Sequence, residues 1–411
     1  MPPPDKNTSV FLDGALPHVG DLSHAETRRG GEFFSRKERK DHKAGGPTSV
    51  SATIDRPGWK RVTLGELVNN NTISMGRGNV ISKESIASSP GEYPVFSSSA
   101  TGDGIIGYYS KFMFDDERIS WSIDGGGRFF YHPKSRYSVT NVSGWIKVNN
   151  PVEITTRFLY IALDAEWQKK HFDYQTKAHP SVIEKEYSIS YPTLDEQNEI
   201  SNAIDSIDTH IAALQSLIAK YEAIKKATVN LLLKPKAGWK RVKLGDVFEV
   251  KVGGDLDVPH YSPYKTIDCR YEIVSNSLTN HGHYGYTSLP NFPGDSITVT
   301  GRGNVGHAEY RQEPFDAIVR TVILSPNCAQ VCSKFVAELI NATDTFLIEN
   351  TGVPQLTAPQ IASTSITLPP LDEQKRIVEI LDSLDGTISG LRSQLAKAQD
   401  IKRGMMAYFF G

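Results

Sequence analysis

Gly301-Arg302-Gly303-Asn304-Val305-Gly306 is the stretch of this chain nearest to a cofactor signature, a GxGxxG loop after an apolar run. Such a loop holds a pyrophosphate only when a helix opens at its end, because the helix N-terminus supplies the amides and the dipole. Here His307-Ala308-Glu309-Tyr310 continues a strand pattern instead, so dinucleotide binding is not expected. His281-Gly282-His283 offers two imidazoles to a metal, yet the corresponding place in the first half of the chain reads Asp103-Gly104-Ile105. Asp115-Asp116-Glu117 and Asp255-x-Asp257 lack a partner motif and read as solvated loops. The three cysteines, Cys269, Cys328 and Cys332, fit neither a disulfide framework nor a CxxC zinc site. GxxxxGK[ST], HExxH and GxSxG do not occur in the sequence. We therefore expect no catalytic residue, no metal ligand and no cofactor in this chain.

The residues that remain suit recognition. Arg128, Tyr131, Lys134 and Arg136 fall in turn-rich segments of the first half, and Arg270, Tyr271, Asn280, His281, His283, Tyr284, Arg302, Asn304 and Arg311 in the second. Arg and Asn can pair bidentately with purine edges, while Lys and backbone amides grip phosphates. Taken singly, each is as well explained as ordinary loop surface.

What must position these residues is a duplicated unit. Gly58-Trp59-Lys60-Arg61-Val62-x-Leu64-Gly65 returns as Gly238-Trp239-Lys240-Arg241-Val242-x-Leu244-Gly245. Ser97-x-Ser99-x-Thr101-x-x-Gly104-x-x-Gly107-Tyr108 returns from Ser275 to Tyr286, and Leu194-Asp195-Glu196-Gln197 returns as Leu371-Asp372-Glu373-Gln374. A repeat of about 178 residues is too long for a solenoid, so each copy is a folding unit with its own core. The shared residues are turn and frame positions, while the interiors of the copies diverge. A duplicated catalyst would keep its polar site; a duplicated reader keeps its frame and changes its fingers.

Each copy ends in a heptad seam. Ile200, Ile204, Ile207, Ile211, Leu214, Ile218 and Tyr221 step by fours and threes, and Ile377, Leu381, Leu384, Ile388, Leu391, Leu395 and Ala398 repeat that frame. Both helices start just after proline with acids in the first turn, and the first stops before Pro235. At about 1.5 Å per residue, some 38 residues make a helix nearly 60 Å long. Two such seams are expected to pair, and pairing about a pseudo-twofold axis makes them antiparallel with the heads at opposite ends. Leu231-Leu232-Leu233 and Met405-Met406-Ala407-Tyr408-Phe409-Phe410 end the helices in apolar runs, for which burial within the chain is expected. The heads show short β-rich runs, such as Trp145–Val148, Ser296–Thr300 and Ala317–Leu324, with helices expected near Thr155–Lys169 and Cys332–Ile340.

The expected fold is thus α+β: two tandem pseudo-repeated heads, each with a twisted, mostly antiparallel sheet, separated by two long helices in an antiparallel coiled coil. The expected divisions are a charged disordered extension over 1–56, heads over 57–193 and 236–370, and spacer helices over 194–235 and 371–411. No run reaches the 18 to 20 apolar residues of a spanning helix, which with the unpaired cysteines suggests a cytoplasmic protein. The formal net charge is −2, and neither head is basic. Lys plus Arg against Asp plus Glu is 15 to 14 over 57–193 and 11 to 13 over 236–370. Binding to nucleic acid would need locally arranged cations or a basic partner.

The Gly-Trp-Lys-x-Val-x-Leu-Gly and Pro-x-Leu-x-Glu-Gln bookends, the Ser-x-Ser-x-Thr-x-x-Gly-x-x-Gly-Tyr segment and the heptad helices together resemble the specificity subunit of type I restriction-modification enzymes, over residues 57–411. The resemblance implies two target recognition domains on double-stranded DNA, each reading half of a bipartite target, with the helices setting the gap. It also implies docking of two methyltransferase subunits and of restriction translocase subunits, with S-adenosylmethionine, ATP and Mg used by those partners. Residues 1–56 depart from the family frame. The rival expectation is a coiled-coil scaffold with two protein- or ligand-binding heads; a nuclease or methyltransferase acting alone would need a motif that the sequence lacks.

Overall fold

The computed structural model of the chain describes residues 56–98, 104–124, 126–170, 178–343, 345–346 and 354–411. The expected disordered extension, apart from Arg56, lies outside the described residues, as do Ser99 and Thr101 of the repeated segment. Two compact units result, one of residues up to Asp208 together with Ile401–Gly411, the other of Thr209–Asp400.

In the first unit, β1 (Lys60–Thr63), α1 (Leu64–Asn69), β2 (Ile73–Arg77), α2 (Lys83–Ser88), β3 (Pro90–Phe96), β4 (Ile105–Tyr109), β5 (Arg118–Ser122), β6 (Phe129–His132), β7 (Ser138–Val139) and β8 (Ser143–Val148) precede α3 (Thr156–Gln168), α4 (Pro180–Glu186) and β9 (Ser188–Tyr191). They make an antiparallel sheet of order β2-β8-β5-β6, a smaller sheet β4-β3-β7 and the pair β1-β9. Strand β3 runs parallel to β7, the one departure from antiparallel pairing among the described strands of this unit. Helix α5 (Leu194–Leu232) begins in this unit, where Ile200 and Ile204 join the core with Trp121, Phe129, Ile146, Phe158 and Tyr187.

The second unit repeats this plan with β10 (Lys240–Lys243), α6 (Leu244–Val247), β11 (Phe248–Val252), β12 (Tyr261–Ser262), β13 (Tyr271–Val274), β14 (His283–Thr287), β15 (Ser296–Thr300), β16 (Ala308–Arg311), β17 (Phe315–Ala317), β18 (Thr321–Pro326), α7 (Ser333–Ala342), α8 (Ala358–Ser363), β19 (Ser365–Leu368) and α9 (Leu371–Phe410). Its sheets are β11-β18-β15-β16, β12-β14-β13-β17 and β10-β19, and β13 runs parallel to β17 as β3 does to β7. The run Ala317–Leu324 is not one strand, as its β-branched residues suggest. Arg320 takes φ +74° and breaks it, so that β17 serves the smaller sheet and β18 the larger.

The repeated motifs are the parts that join head to helix. Gly58 and Gly238 turn the chain at φ +88° and +91°, where a side chain would be strained. Trp59 then meets Phe158 of α3 edge-on at 6.2 Å, and Trp239 meets Phe335 of α7 at the same distance. Thr63 caps α1 in a reciprocal box with Glu66, at 2.7 and 3.2 Å. Lys243 replaces that threonine in the second copy and has no acceptor to offer, so the return bond from its amide to Asp246 is what remains there. The glutamine of each Leu-Asp-Glu-Gln is fully buried. Gln197 accepts from the Thr155 amide at 3.0 Å and donates to the carbonyls of Glu153 and Pro192. Gln374 makes the same three bonds to Cys332, Gln330 and Pro369.

The heptad positions are the sheltered stripe of each long helix: Ile200, Ile204, Leu214, Ile377, Leu381 and Ile388 are buried, and Ile207, Ile211, Ile218, Leu384, Leu391 and Leu395 half-buried. Within the second unit the helices run antiparallel, since Glu222 pairs with Arg392 and Lys225 with Asp385, at 2.6 and 2.7 Å. Within the first, Asp208 pairs with Lys402. The apolar ends are buried in part: Met405, Met406, Phe409 and Phe410 pack on the first core, and Val229, Leu232 and Leu233 on the second, while Leu231 and Tyr408 stay exposed. No described helix is long and apolar enough to cross a membrane.

Candidate nucleic-acid interface

The segment repeated between the bookends builds one loop in each head. In the first, the Ser97 amide donates to the Gly104 carbonyl at 2.9 Å, and Gly104 closes the turn at φ +76°. In the second, the amide and hydroxyl of Ser275 both donate to the Gly282 carbonyl, at 2.7 and 3.0 Å, and Gly282 sits at φ +74°. A Cβ on Gly282 would lie 2.6 Å from the Ser275 carbonyl oxygen, so glycine is required by space as well as by conformation. The same bond thus ties the same loop in both copies.

The tip of the second loop is strained. Asn280 and His281 both lie in the left-handed region, at φ +49° and +54°, a conformation that costs about 1–3 kcal/mol for each residue that is not glycine. Two side chains hold His281 there. Arg311 donates to the His281 carbonyl at 2.7 Å and to Thr298 at 3.1 Å, and Glu309 takes the His281 ring at 2.5 Å. Arg311 has a side chain only 10% exposed, and burial pulls its pKa down while Glu309 and Glu272 hold it up. It supports the loop from behind. His283 is turned to Glu272 at 2.9 Å, and Tyr284 stays exposed beside Tyr261.

The GxGxxG stretch forms the neighbouring loop. It joins β15 to β16, with Gly303 and Gly306 at φ +78° and +88°, and no helix follows it. Asn276 links the two loops: its Oδ1 accepts from the amides of Gly301 and Arg302 at 2.6 and 3.3 Å, and its Nδ2 donates to the Arg302 carbonyl at 2.5 Å. The Asn304 carbonyl accepts from the Thr300 hydroxyl at 2.5 Å. The backbone is fixed while the side chains of Asn280, His281, Arg302 and Asn304 point to exposed surface. Four groups able to read base edges are therefore brought together on preformed backbone. Arg270 and Tyr271 stand apart from them, joined at 2.7 Å, in a cleft of about 870 Å³ with Lys265 and Tyr286.

In the first head the structure gathers fewer of the expected residues. Arg136 is exposed and lies over Phe112 at 5.0 Å, with its Nη1 3.4 Å from the Tyr93 hydroxyl. Lys134 is exposed on the same segment, whereas Arg128 lies at the β5–β6 turn over Phe130. Tyr131 is engaged inside the head: its hydroxyl donates to Glu117, and the Arg157 guanidinium lies 4.7 Å from its ring centre. Burial first and Glu117 second push its phenol well above the usual range. Sequence reasoning did not single out Asn276, Tyr93 or Phe112. Asn276 had one signal, its place between the two serines of the repeated segment.

One serine–histidine contact has the atoms of a nucleophilic pair but not the access. Ser120 and His132 touch at 2.7 Å, but both are buried within the sheet, and burial lowers the imidazole pKa to about 4. A serine so enclosed meets no substrate. Among the described residues no set of three or more His, Cys, Asp or Glu is placed to hold a metal.

A family model, the type I restriction modification DNA specificity domain, matches residues 57–223 and again 236–398. A protein of Mycoplasma pneumoniae strain M129 named as a type I specificity subunit is 26% identical over 341 residues, covering 81% of this chain and 92% of that relative. A second protein of that strain, named likewise, is 31% identical over 131 residues, which are 31% of this chain and 54% of the relative, so the match spans about half its length. The crystal structure of a type I restriction-modification S subunit from M. genitalium superposes with a TM-score of 0.63 at 17% identity, over 86% of this chain and 96% of that one.

Proposed function

The chain belongs to the type I restriction-modification DNA specificity family and is a non-catalytic specificity subunit, and we propose that each head reads one half of a bipartite duplex target. The observation that carries this reading is the contrast between frame and fingers. Both heads have one strand order in the larger sheet and one loop-closing bond, yet they expose different side chains: Lys134 and Arg136 in the first, and Asn280, His281, Arg302 and Asn304 in the second. The long helices set the gap between half-sites, so that one added heptad, about 10 Å, would lengthen the unspecified spacer by roughly three base pairs.

A head with a net charge close to zero binds duplex DNA weakly by itself, so partner subunits supply much of the phosphate contact. Exposed apolar residues on the helices suit such partners. Ile224 and Leu231 on α5 recur 177 residues later as Ile401 and Tyr408 on α9, all exposed, which fits two copies of one methyltransferase subunit. Restriction translocase subunits join that core; S-adenosylmethionine, ATP and Mg are used by the partners.

The decisive experiment is single-molecule methylome sequencing of a host carrying the chain and its neighbouring methyltransferase, against a strain lacking the chain. We expect a split motif of two short blocks around a fixed spacer, methylated only when the chain is present. No difference, with the methyltransferase shown to be active, would favour a scaffold with two protein- or ligand-binding heads.

Within that target the heads are separable. Replacing Arg302 and Asn304 together with alanine removes two exposed side chains and leaves their backbone bonds in place. At about 1–3 kcal/mol for each of two base contacts, discrimination in one half-site should fall by about 1.5 to 4 orders of magnitude. The other half-site and the melting temperature should not change. Equal loss in both half-sites would refute independent heads.

A further inference from the structure

Tyr131 and Arg157 belong to a polar chain that the recognition loops do not use. Tyr131 on β6 donates to Glu117, just before β5; Arg157, second residue of α3, covers the tyrosine ring and reaches Asp205 of α5 through Nε at 2.8 Å. The second head holds the same chain at equivalent places. Tyr310 on β16 faces Asp295, just before β15; Lys334, second residue of α7, lies 5.8 Å from the tyrosine ring and pairs with Asp382 of α9 at 2.6 Å. The register confirms the equivalence, since Tyr131 lies opposite Ile119 and Tyr310 opposite Ile297 in matching strand pairs.

Two of the four identities have changed between the copies, Glu117 to Asp295 and Arg157 to Lys334, while the order of charges has not. Stability does not account for this. Asp205 and Asp382 are each 44% exposed, and the first chain lines an open cleft of about 500 Å³. Ion pairs so exposed are screened and contribute little to folding. What the chain does have is direction: it runs from the edge strand of the larger sheet, through the first turn of the head's helix, to the long helix below. The Gln197 tie and the Trp59–Phe158 contact anchor the base of the same joint, and this chain braces its side.

We propose that Glu117–Tyr131–Arg157–Asp205 and Asp295–Tyr310–Lys334–Asp382 are positioning clamps, each fixing the angle of a head on its own long helix and thereby the half-site fidelity of that head. The inference rests on the reading of the chain as a two-headed DNA reader. Base edges are read within a few tenths of an ångström, so a head that rocks on its helix loses discrimination before it loses its fold.

The test uses Arg157→Leu, which keeps bulk and removes the charge, and Arg157→Lys, which installs the residue that the second copy carries. Unfolding of Arg157→Leu should shift by no more than about 2 °C. In the assembled methyltransferase, discrimination against single mismatches in one half-site, ordinarily about 5- to 150-fold per base pair, should fall by about tenfold. The other half-site should be unaffected, and Arg157→Lys should retain fidelity. A second arm needs no DNA: spin labels at Ser135 and Ser206, in a chain whose three cysteines are serine, report the distance between head and helix. Arg157→Leu should broaden that distribution and Arg157→Lys should not. An unchanged distribution, or loss of fidelity in both half-sites alike, overturns the clamp. Absence of half-site discrimination in the unaltered protein would instead overturn the DNA-reading function, and the distance measurement would still decide whether the clamp positions the head.

Discussion

Gln197→Leu is expected to destabilise the first unit by about 3–5 kcal/mol, at roughly 1–3 for each backbone group left unpaired. The side chain is fully buried, and leucine is at least as bulky, so cavity formation contributes little. What is lost is satisfaction of the Thr155 amide and of the carbonyls of Glu153 and Pro192, two part-buried bonds and one fully buried bond at the joint. For a unit of this size the transition should fall by about 8–15 °C. Because two units unfold in one chain, a single melting temperature is a poor readout. Native-state hydrogen exchange resolves them: protection should drop within 57–208 and hold within 209–400. Gln374→Leu should give the mirror result, through Cys332, Gln330 and Pro369. A change below about 1 kcal/mol would mean that water replaces the glutamine in the joint.

That glutamine marks what was legible in the sequence and what was not. Its recurrence 177 residues apart was plain, but a polar residue in the first turn of an amphipathic helix carries no sign that it is buried. The helices themselves were legible because their period is local: seven positions stepping by four and three define a seam without any tertiary information. The α+β class and the mostly antiparallel sheets followed from short β-branched runs between turns. The parallel pairs β3–β7 and β13–β17 did not, since they join strands more than 40 residues apart in pairs of two or three residues. The break at Arg320 was hidden for a related reason. Ile318 donates its amide to Val274 in one sheet, while Thr321 begins the strand of another, and no local preference encodes that division.

The candidate interface was legible as a list of residue types and illegible as a surface. Arg302, Asn304, Asn280 and His281 come together because Asn276 spans two loops about 25 residues apart, which only the fold reveals. Tyr131 and Arg311 have the chemistry of DNA contacts and are engaged elsewhere, one in a brace and one behind a strained loop. A side chain's type states which bonds it can make; burial and neighbours decide which it does make.

Ile388→Asp should destabilise the second unit by about 4–6 kcal/mol, combining about 1.5–3 for the lost apolar burial with several more for an enclosed, unpaired carboxylate. Ile388 is 5% exposed, and the nearby cation on α5, Lys225, is already taken by Asp385 one turn away. Arg392, one turn on along α9, is likewise engaged by Glu222, so the new carboxyl would meet the like charge of Asp385 and no free cation on these faces. The sign of the pH dependence follows. Burial and Asp385 raise the folded-state pKa of that carboxyl above its unfolded value of about 3.9. Below 3.9 the group is neutral in both states, and what remains is the loss of apolar burial; as pH rises toward the folded pKa the penalty grows, and above it the penalty is constant. Denaturant unfolding at pH 5 and pH 8 should thus show the larger deficit at pH 8. Leu217→Asp, on an exposed face of α5, is the control and should stay within about 0.5 kcal/mol. If the two substitutions cost the same, the heptad seam is not the joint that holds the helices. A deficit at Ile388 that grows with pH, beside a silent Leu217, would place the carboxylate in a desolvated seam, as the proposed spacer role of the long helices demands.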